Sequence, residues 1–198
     1  PFRIAVLGDT HLSRGETVPP DAIDAIRGTE PDLILHTGDV VWLPGLAPIR
    51  KIAPLLLVRG NRDFMYWREL PAMVRIRIGC VRLLLFHGYG NLLGYARMKV
   101  ISMRRNPAIR EMNFNFPPEA RDADVLVYGH THMARAEVSD EKMILNPGAL
   151  TEKANVYGAG KPSFALITVA QDGRVEAEIR ARANGWHASC RVVNACHD

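Results

Sequence analysis

An α/β fold is predicted for this chain, and three observations predict it. The first third alternates buried apolar runs with short helix-compatible segments, and each run ends in a glycine-led polar cluster. The middle switches to alternating apolar and basic residues. The last third is a series of short strand-like runs separated by turn residues. The opening βαβαβ rhythm demands parallel strands with right-handed crossovers, and the finish reads as mainly antiparallel. Ligands of such sheets bind outside the carboxyl ends of the strands, so what each strand delivers at its end matters most.

The first run, Phe2–Leu7, is a buried strand leading into Gly8-Asp9-Thr10-His11. Asp9 and His11 stand two apart, so in extended backbone their side chains leave on one side, where a carboxylate and an imidazole suit a divalent cation. On these residues alone, a turn-capping aspartate beside a surface histidine fits as well. Residues 19–28 form a short helix with proline at its start and glycine after its end. A second strand over 33–37 ends in Gly38-Asp39, repeating the first layout. A helix at 46–52 precedes a third strand at 55–58, which ends in Arg59-Gly60-Asn61-Arg62-Asp63. Asp9, Asp39 and Asn61 should therefore share one edge of the sheet.

Residues 74–79 alternate as a half-exposed strand does, and Val81–Phe86 is the hairpin partner that ends at His87-Gly88. Between 91 and 121, Leu93, Ala96, Val100 and Met103 recur at helical spacing while Pro107, Pro117 and Pro118 limit any helix. This is expected to be a helix-rich excursion beside the site, with residues 89–121 shaping substrate choice. A strand at 124–128 then runs into Gly129-His130-Thr131-His132. Further strands are expected at 134–138, 143–145, 164–169 and 175–179, with turns at 146–150 and 171–174. Residues 183–198 show no period and read as a loose tail.

At 198 residues the chain is expected to form a single domain, 1–198. A hydrophobic content of 47% with 23% charged residues is that of a globular protein, and no apolar run approaches the length that spans a bilayer. With no charged-then-apolar leader before the first strand, a cytoplasmic location and no membrane partner are expected. Cys80, Cys190 and Cys196 are odd in number and lie in no metal-binding spacing, so a reducing compartment without a disulfide framework is expected. Cys80 reads as a packed small hydrophobe. The net charge of +4 permits a polyanionic partner without requiring one.

Collected, the polar groups at strand ends are Asp9, His11, Asp39, Asn61, His87, His130 and His132. Seven nitrogen and oxygen donors exceed what one ion can use and suit two divalent ions with a shared carboxylate. Structural zinc prefers closed, cysteine-rich sites, which these residues do not make. Two ions carry four positive charges against two aspartates, an excess that can hold a hydroxide and an anionic substrate; hydrolysis of a phosphate ester by a metal-bound hydroxide is the reaction that suits this array.

The blocks Gly8-Asp9-Thr10-His11, Gly38-Asp39, Gly60-Asn61-Arg62-Asp63, His87-Gly88 and Gly129-His130-Thr131-His132, in this order, resemble the calcineurin-like metallophosphoesterases. The short length and the Asn146-Pro147-Gly148-Ala149 turn are most similar to the small prokaryotic YfcE-like phosphodiesterase branch. The resemblance covers residues 2 to about 180. It implies two packed mixed β-sheets flanked by helices, an αββα sandwich. It implies that Asp9, His11, Asp39 and His132 hold one metal and that Asp39, Asn61, His87 and His130 hold the other, with Asp39 bridging. Manganese is the expected ion, and iron, zinc, nickel or cobalt are compatible with the same ligands. Asn61, Arg62, His87 and His130 are the expected catalytic residues.

Many members of the family carry histidine after the asparagine, where this chain has Arg62. Arginine stays charged and can hold a phosphate oxygen but cannot deliver a proton, so small or nucleotide-like phosphodiesters are expected over monoesters. A nuclease or phosphomonoesterase on the same site is the competing enzyme. A non-catalytic scaffold is the competing class, as in the metallophosphoesterase-like subunit of retromer, although such proteins have typically lost ligands. His36 is expected in the core or behind the ligands, and Asp63 either orients Asn61 or a neighbouring histidine or starts a helix. The basic residues Arg97, Lys99, Arg104, Arg105 and Arg110, with Tyr89, Tyr95, Phe114 and Phe116 nearby, leave nucleic acid as a secondary partner. The sequence does not specify an oligomeric state.

Overall fold

Eleven strands fall into two sheets in a computed structural model that describes residues 1–88, 116–155, 160–183 and 185–195. One sheet has the order β11-β10-β9-β1-β2-β3, the other β4-β5-β6-β8-β7. In the first, β1 (Phe2–Leu7), β2 (Leu33–His36) and β3 (Leu55–Leu57) run parallel, while β9 (Ser163–Val169), β10 (Arg174–Arg182) and β11 (Trp186–Ala195) are antiparallel to their neighbours. In the second, β4 (Met73–Ile78) and β5 (Val81–Phe86) form the expected hairpin. Both sheets are mixed, as expected.

Along β1, Ile4 and Val6 face the second sheet and Ala5 and Leu7 face the helices, all fully buried. This two-sided burial is why the strand reads as a continuous apolar run. Ile4, Val6 and Leu35 pack with Leu83, Leu85, Val125, Val127 and Leu145 to form the core between the sheets. On the outer face of the first sheet, α1 (Pro20–Arg27) buries Ala22 and Ile26, and the short α2 (Ala47–Arg50) buries Ile49. Pro20 opens α1, Asp21 and Arg27 complement its dipole, and Gly28 follows its end.

The finish is mainly antiparallel, as expected: β7 (Arg135–Ser139) pairs antiparallel with β8 (Lys142–Asn146), and β9, β10 and β11 run antiparallel in succession, while β6 (Val125–Val127) pairs parallel with both β5 and β8. Two expectations need correction. The expected loose tail contains the ten-residue strand β11. It is an edge strand whose register to β10 shifts between Ile179 and Arg180, and it is held in part by an Arg191–Glu176 ion pair. An irregular ladder supported by charged cross-strand pairs leaves no apolar period to read. Cys80 packs against the core between the sheets, as expected, but it is disulfide-bonded, which the expectation of free thiols in a reducing compartment did not foresee; Cys190 is free and exposed.

Residues 91–115 of the expected helix-rich excursion, with its basic residues and Tyr89, Tyr95 and Phe114, lie outside the described residues, as does Cys196; the end of the excursion is the short 3-10 helix Pro118–Asp122. Phe116 is described and packs edge-on against Phe86 and Tyr128 on the outer face of the second sheet. No helix among the described residues is long and apolar enough to cross a membrane.

Candidate metal centre

Five strands end at one edge of the sandwich, and the loops beyond β1, β2, β3, β5 and β6 carry all seven expected donors. Beyond β1 and β2 the backbone stays paired: Thr37 N–H donates to Leu7, Asp9 N–H to Gly38, and His11 N–H to Asp39. The local geometry differs from the extended backbone expected at Asp9 and His11. Asp9, His11, Asp39, His130 and His132 all have positive φ, between 44° and 74°. Left-handed backbone at non-glycine residues costs energy and persists where the surroundings over-determine it, commonly at functional sites. Here it turns alternate side chains inward at loops too short for a strand.

The donors form two groups. Asp9, His11 and His132 offer ligand atoms within 4.8 Å of one another, and His132 Nε2 lies 3.3 Å from Asp9 Oδ1. Asp39 stands between the groups, with Oδ2 3.4 Å from His11 Nε2 and Oδ1 3.4 Å from His87 Nε2. Asn61 Oδ1 is 3.0 Å from His87 Nε2 and 2.8 Å from His130 Nδ1. Asp9, Asp39 and His87 also offer ligand atoms within 4.8 Å of one another, so the seven residues are brought together with Asp9 and Asp39 at the middle.

The chemistry of these atoms fits cations. His87 Nδ1–H donates to the Thr37 carbonyl, and His132 Nδ1–H donates to the Ala154 carbonyl. In the neutral imidazoles this fixes the tautomer, leaving each Nε2 with a lone pair aimed at the oxygens of Asn61, Asp39 or Asp9. Lone pairs facing lone pairs repel unless a cation lies between them. Asp9 Oδ1 and His11 Nε2 are also buried without a hydrogen-bond partner, a costly arrangement for groups that no ion satisfies.

His130 and Asp39 titrate as donors to a cation should, and His132 as the partner of a carboxylate does. Burial, and then the neighbouring His87, push His130 down to about 4, so it is neutral near pH 7 and able to offer a lone pair. Burial alone would raise the Asp39 carboxyl, but His87, His11 and the Arg62 N–H hold it well below the usual range. Burial would lower His132, yet the Asp9 carboxylate and the Ala154 carbonyl raise it.

Behind the donors lies a layer that the sequence only partly signals. Asp63 directly precedes the short 3-10 helix Phe64–Tyr66, as one of its expected roles had it, but its side chain makes no cap there. Its Oδ2 accepts the N–H groups of Asp39 and Gly60, at 2.9 and 2.7 Å, and Oδ1 accepts Val41 N–H at 2.8 Å. One buried carboxylate thereby fixes the β2 loop to the β3 loop. Asp63→Asn turns an acceptor toward these donors into a donor, so urea unfolding is expected to show a loss of about 2–3 kcal/mol. An unchanged unfolding midpoint would contradict this role. Asn146, read only as part of a turn, donates through Nδ2 to the Gly129 carbonyl and to Thr131 Oγ1, supporting the His130–His132 loop from behind. The signal available for it was an asparagine directly before Pro147-Gly148.

Arg62 donates its backbone N–H to Asp39 Oδ1 at 2.7 Å. Its half-exposed side chain stands at the rim, with Nε 4.0 Å from Asp39 Oδ2. That places a permanent positive charge where an anion would meet the two donor groups.

Comparison with known proteins agrees with this geometry. The family model for the calcineurin-like phosphoesterase superfamily domain matches residues 2–172. A probable metallophosphoesterase of Methanothermobacter thermautotrophicus is 32% identical over 178 residues, covering 89% of this chain and 90% of that protein. Among solved structures, Vps29 of Chaetomium thermophilum superposes with a TM-score of 0.71 at 22% identity, over 98% of this chain and 97% of that one. A predicted phosphoesterase of Streptococcus pneumoniae superposes with a TM-score of 0.63 at 17% identity, over 98% of both chains. The two structural likenesses establish the fold. The family match and the convergent donors support a metal-dependent phosphoesterase, and the chain belongs to the calcineurin-like phosphoesterase superfamily.

Proposed function

We propose that this chain is a dinuclear phosphodiesterase acting on a small or nucleotide-like diester. The observation that carries the reading is the convergence of imidazole nitrogens and amide and carboxylate oxygens around Asp39 from both sides. Asp9, His11, His132 and Asp39 Oδ2 would hold one divalent ion, and Asp39 Oδ1, Asn61, His87 and His130 the other. Manganese is the ion proposed first, with iron, zinc, nickel or cobalt compatible with the same donors. Such a pair of ions supplies an activated water at neutral pH and positive charge at the phosphate.

The residues of the chain do the rest. The carbonyls of Thr37 and Ala154 hold His87 and His132 in the metal-binding tautomer, while Asp63 and Asn146 keep the loops in place. Arg62 would bind a non-bridging phosphate oxygen, since its guanidinium stays charged at any working pH. It cannot protonate a departing alkoxide, which favours diesters with good leaving groups over monoesters. The Vps29-like fold also accommodates a non-catalytic scaffold, and a nuclease would use the same donors on a longer substrate.

The test is a metal-reconstituted assay of bis-p-nitrophenyl phosphate against p-nitrophenyl phosphate. The diester is expected to turn over at least about tenfold faster, a margin of about 1.4 kcal/mol in barrier. Asn61→Ala is expected to remove the activity, and Arg62→His to narrow the gap by raising monoester turnover. Equal or faster hydrolysis of the monoester by the unmodified protein would overturn the diester reading. Failure to hydrolyse either ester when fully loaded would favour the scaffold.

A further inference from the structure

His36 is the last residue of β2, and it is fully buried. Its Nδ1 lies 3.1 Å from the Gly38 N–H, and its Nε2 lies 3.3 Å from Thr10 Oγ1. A backbone N–H can only donate, so Nδ1 is the acceptor, and in the neutral ring the proton sits on Nε2 and points at the Thr10 hydroxyl. One imidazole with its tautomer set thus spans two loops. Thr10 stands between Asp9 and His11, and Gly38 directly precedes Asp39. Gly38 has φ +99°, and a Cβ there would meet the Gly60 backbone at 2.6 Å, so its conformation is tightly constrained. Thr10 is fully buried too, and its carbonyl accepts the Thr151 hydroxyl at 2.9 Å.

We propose that His36 is a positioning residue for the metal centre: by joining Thr10 to Gly38 it sets the spacing between Asp9, His11 and Asp39, and with it the affinity of the ion those residues hold. This rests on the two-ion reading above. Asn61, His87 and His130 stand on other loops, and His36 touches none of them. Asp39 is shared with the second set, so the larger effect is directed at the ion that Asp9 and His11 would hold and a smaller one at the other.

The two hydrogen bonds can be separated. In His36→Asn the amide oxygen takes the place of Nδ1 and keeps Gly38, while the Thr10 contact is lost. In His36→Gln the longer side chain brings an N–H to the Nε2 position and keeps Thr10, while Gly38 is lost. His36→Leu removes both. The readout is calorimetric titration of metal-stripped protein with Mn²⁺ and no substrate, accompanied by thermal unfolding of the stripped protein. Residues that orient ligands typically change metal affinity by about 10–100-fold, and a loss of that size is expected for one of the two ions in His36→Leu, with smaller losses in Asn and Gln and a lesser loss at the other ion, which shares Asp39. If the leucine variant does not fold, the Asn and Gln variants decide. Wild-type affinity for both ions in folded Asn and Gln variants would overturn the proposal, as would an equal loss at both ions. If the unmodified protein took up no manganese, the two-ion reading would fall first, and this inference with it.

Discussion

Asp39→Asn is expected to lower turnover on the order of 10³-fold or more while leaving a folded protein. Asp39 faces both groups, with one oxygen toward His11 and the other toward His87. Asparagine keeps one oxygen, which can still accept the Arg62 N–H, and presents an NH2 group to the opposite cluster. That amide repels the cation that the second oxygen would hold. A pair of ions missing one member loses both a unit that stabilises the phosphate and much of the acidification of water, a loss of about 4 kcal/mol or more in barrier. The measurement is kcat for the diester at saturating manganese, with the melting temperature taken alongside. Full activity would mean that Asp39 bridges nothing.

Gly60→Ala is the second large effect expected, and it arises without touching a donor atom. A Cβ on Gly60 would lie 2.1 Å from Asp39 Oδ1 and 2.2 Å from Asp39 N, distances that no side chain tolerates. Relief requires movement of Asp39 or of the β3 loop. Asp39 is held at φ 57° with its N–H on Asp63, and the same carboxylate holds the Gly60 N–H. Strain of this kind typically costs about 1–3 kcal/mol in stability, and the shift falls on the shared ligand. Activity is expected to fall on the order of 10²-fold, because a displacement of about 1 Å in a reacting constellation costs that much. Near-normal kinetics in Gly60→Ala would show that the close approach of these loops is dispensable.

How far the sequence foretells this molecule depends on what kind of physics sets each part. Strands buried on both faces, such as β1 and β2, are legible because an apolar run ending in glycine and a polar group has few other meanings. The seven donors are legible for the same reason: each sits just past a strand end, and parallel strands bring those ends together. The extended backbone that spacing predicts at Asp9 and His11 gives way to left-handed backbone, a tertiary outcome that side-chain spacing does not reveal. β11 leaves no legible period because charge pairing and a register shift take the place of apolar alternation. The roles of Asp63 and Asn146 are hydrogen bonds to backbone N–H and carbonyl groups of distant loops, and such partners leave no periodic mark in the chain. The disulfide at Cys80 was likewise invisible to spacing.

The most direct test titrates metal-stripped protein with manganese while hydrolysis of bis-p-nitrophenyl phosphate is followed in the same sample. Activity is expected to rise with added metal and to level off at two equivalents per chain. A plateau at one equivalent, or a fully loaded protein that leaves the ester intact, would contradict the account.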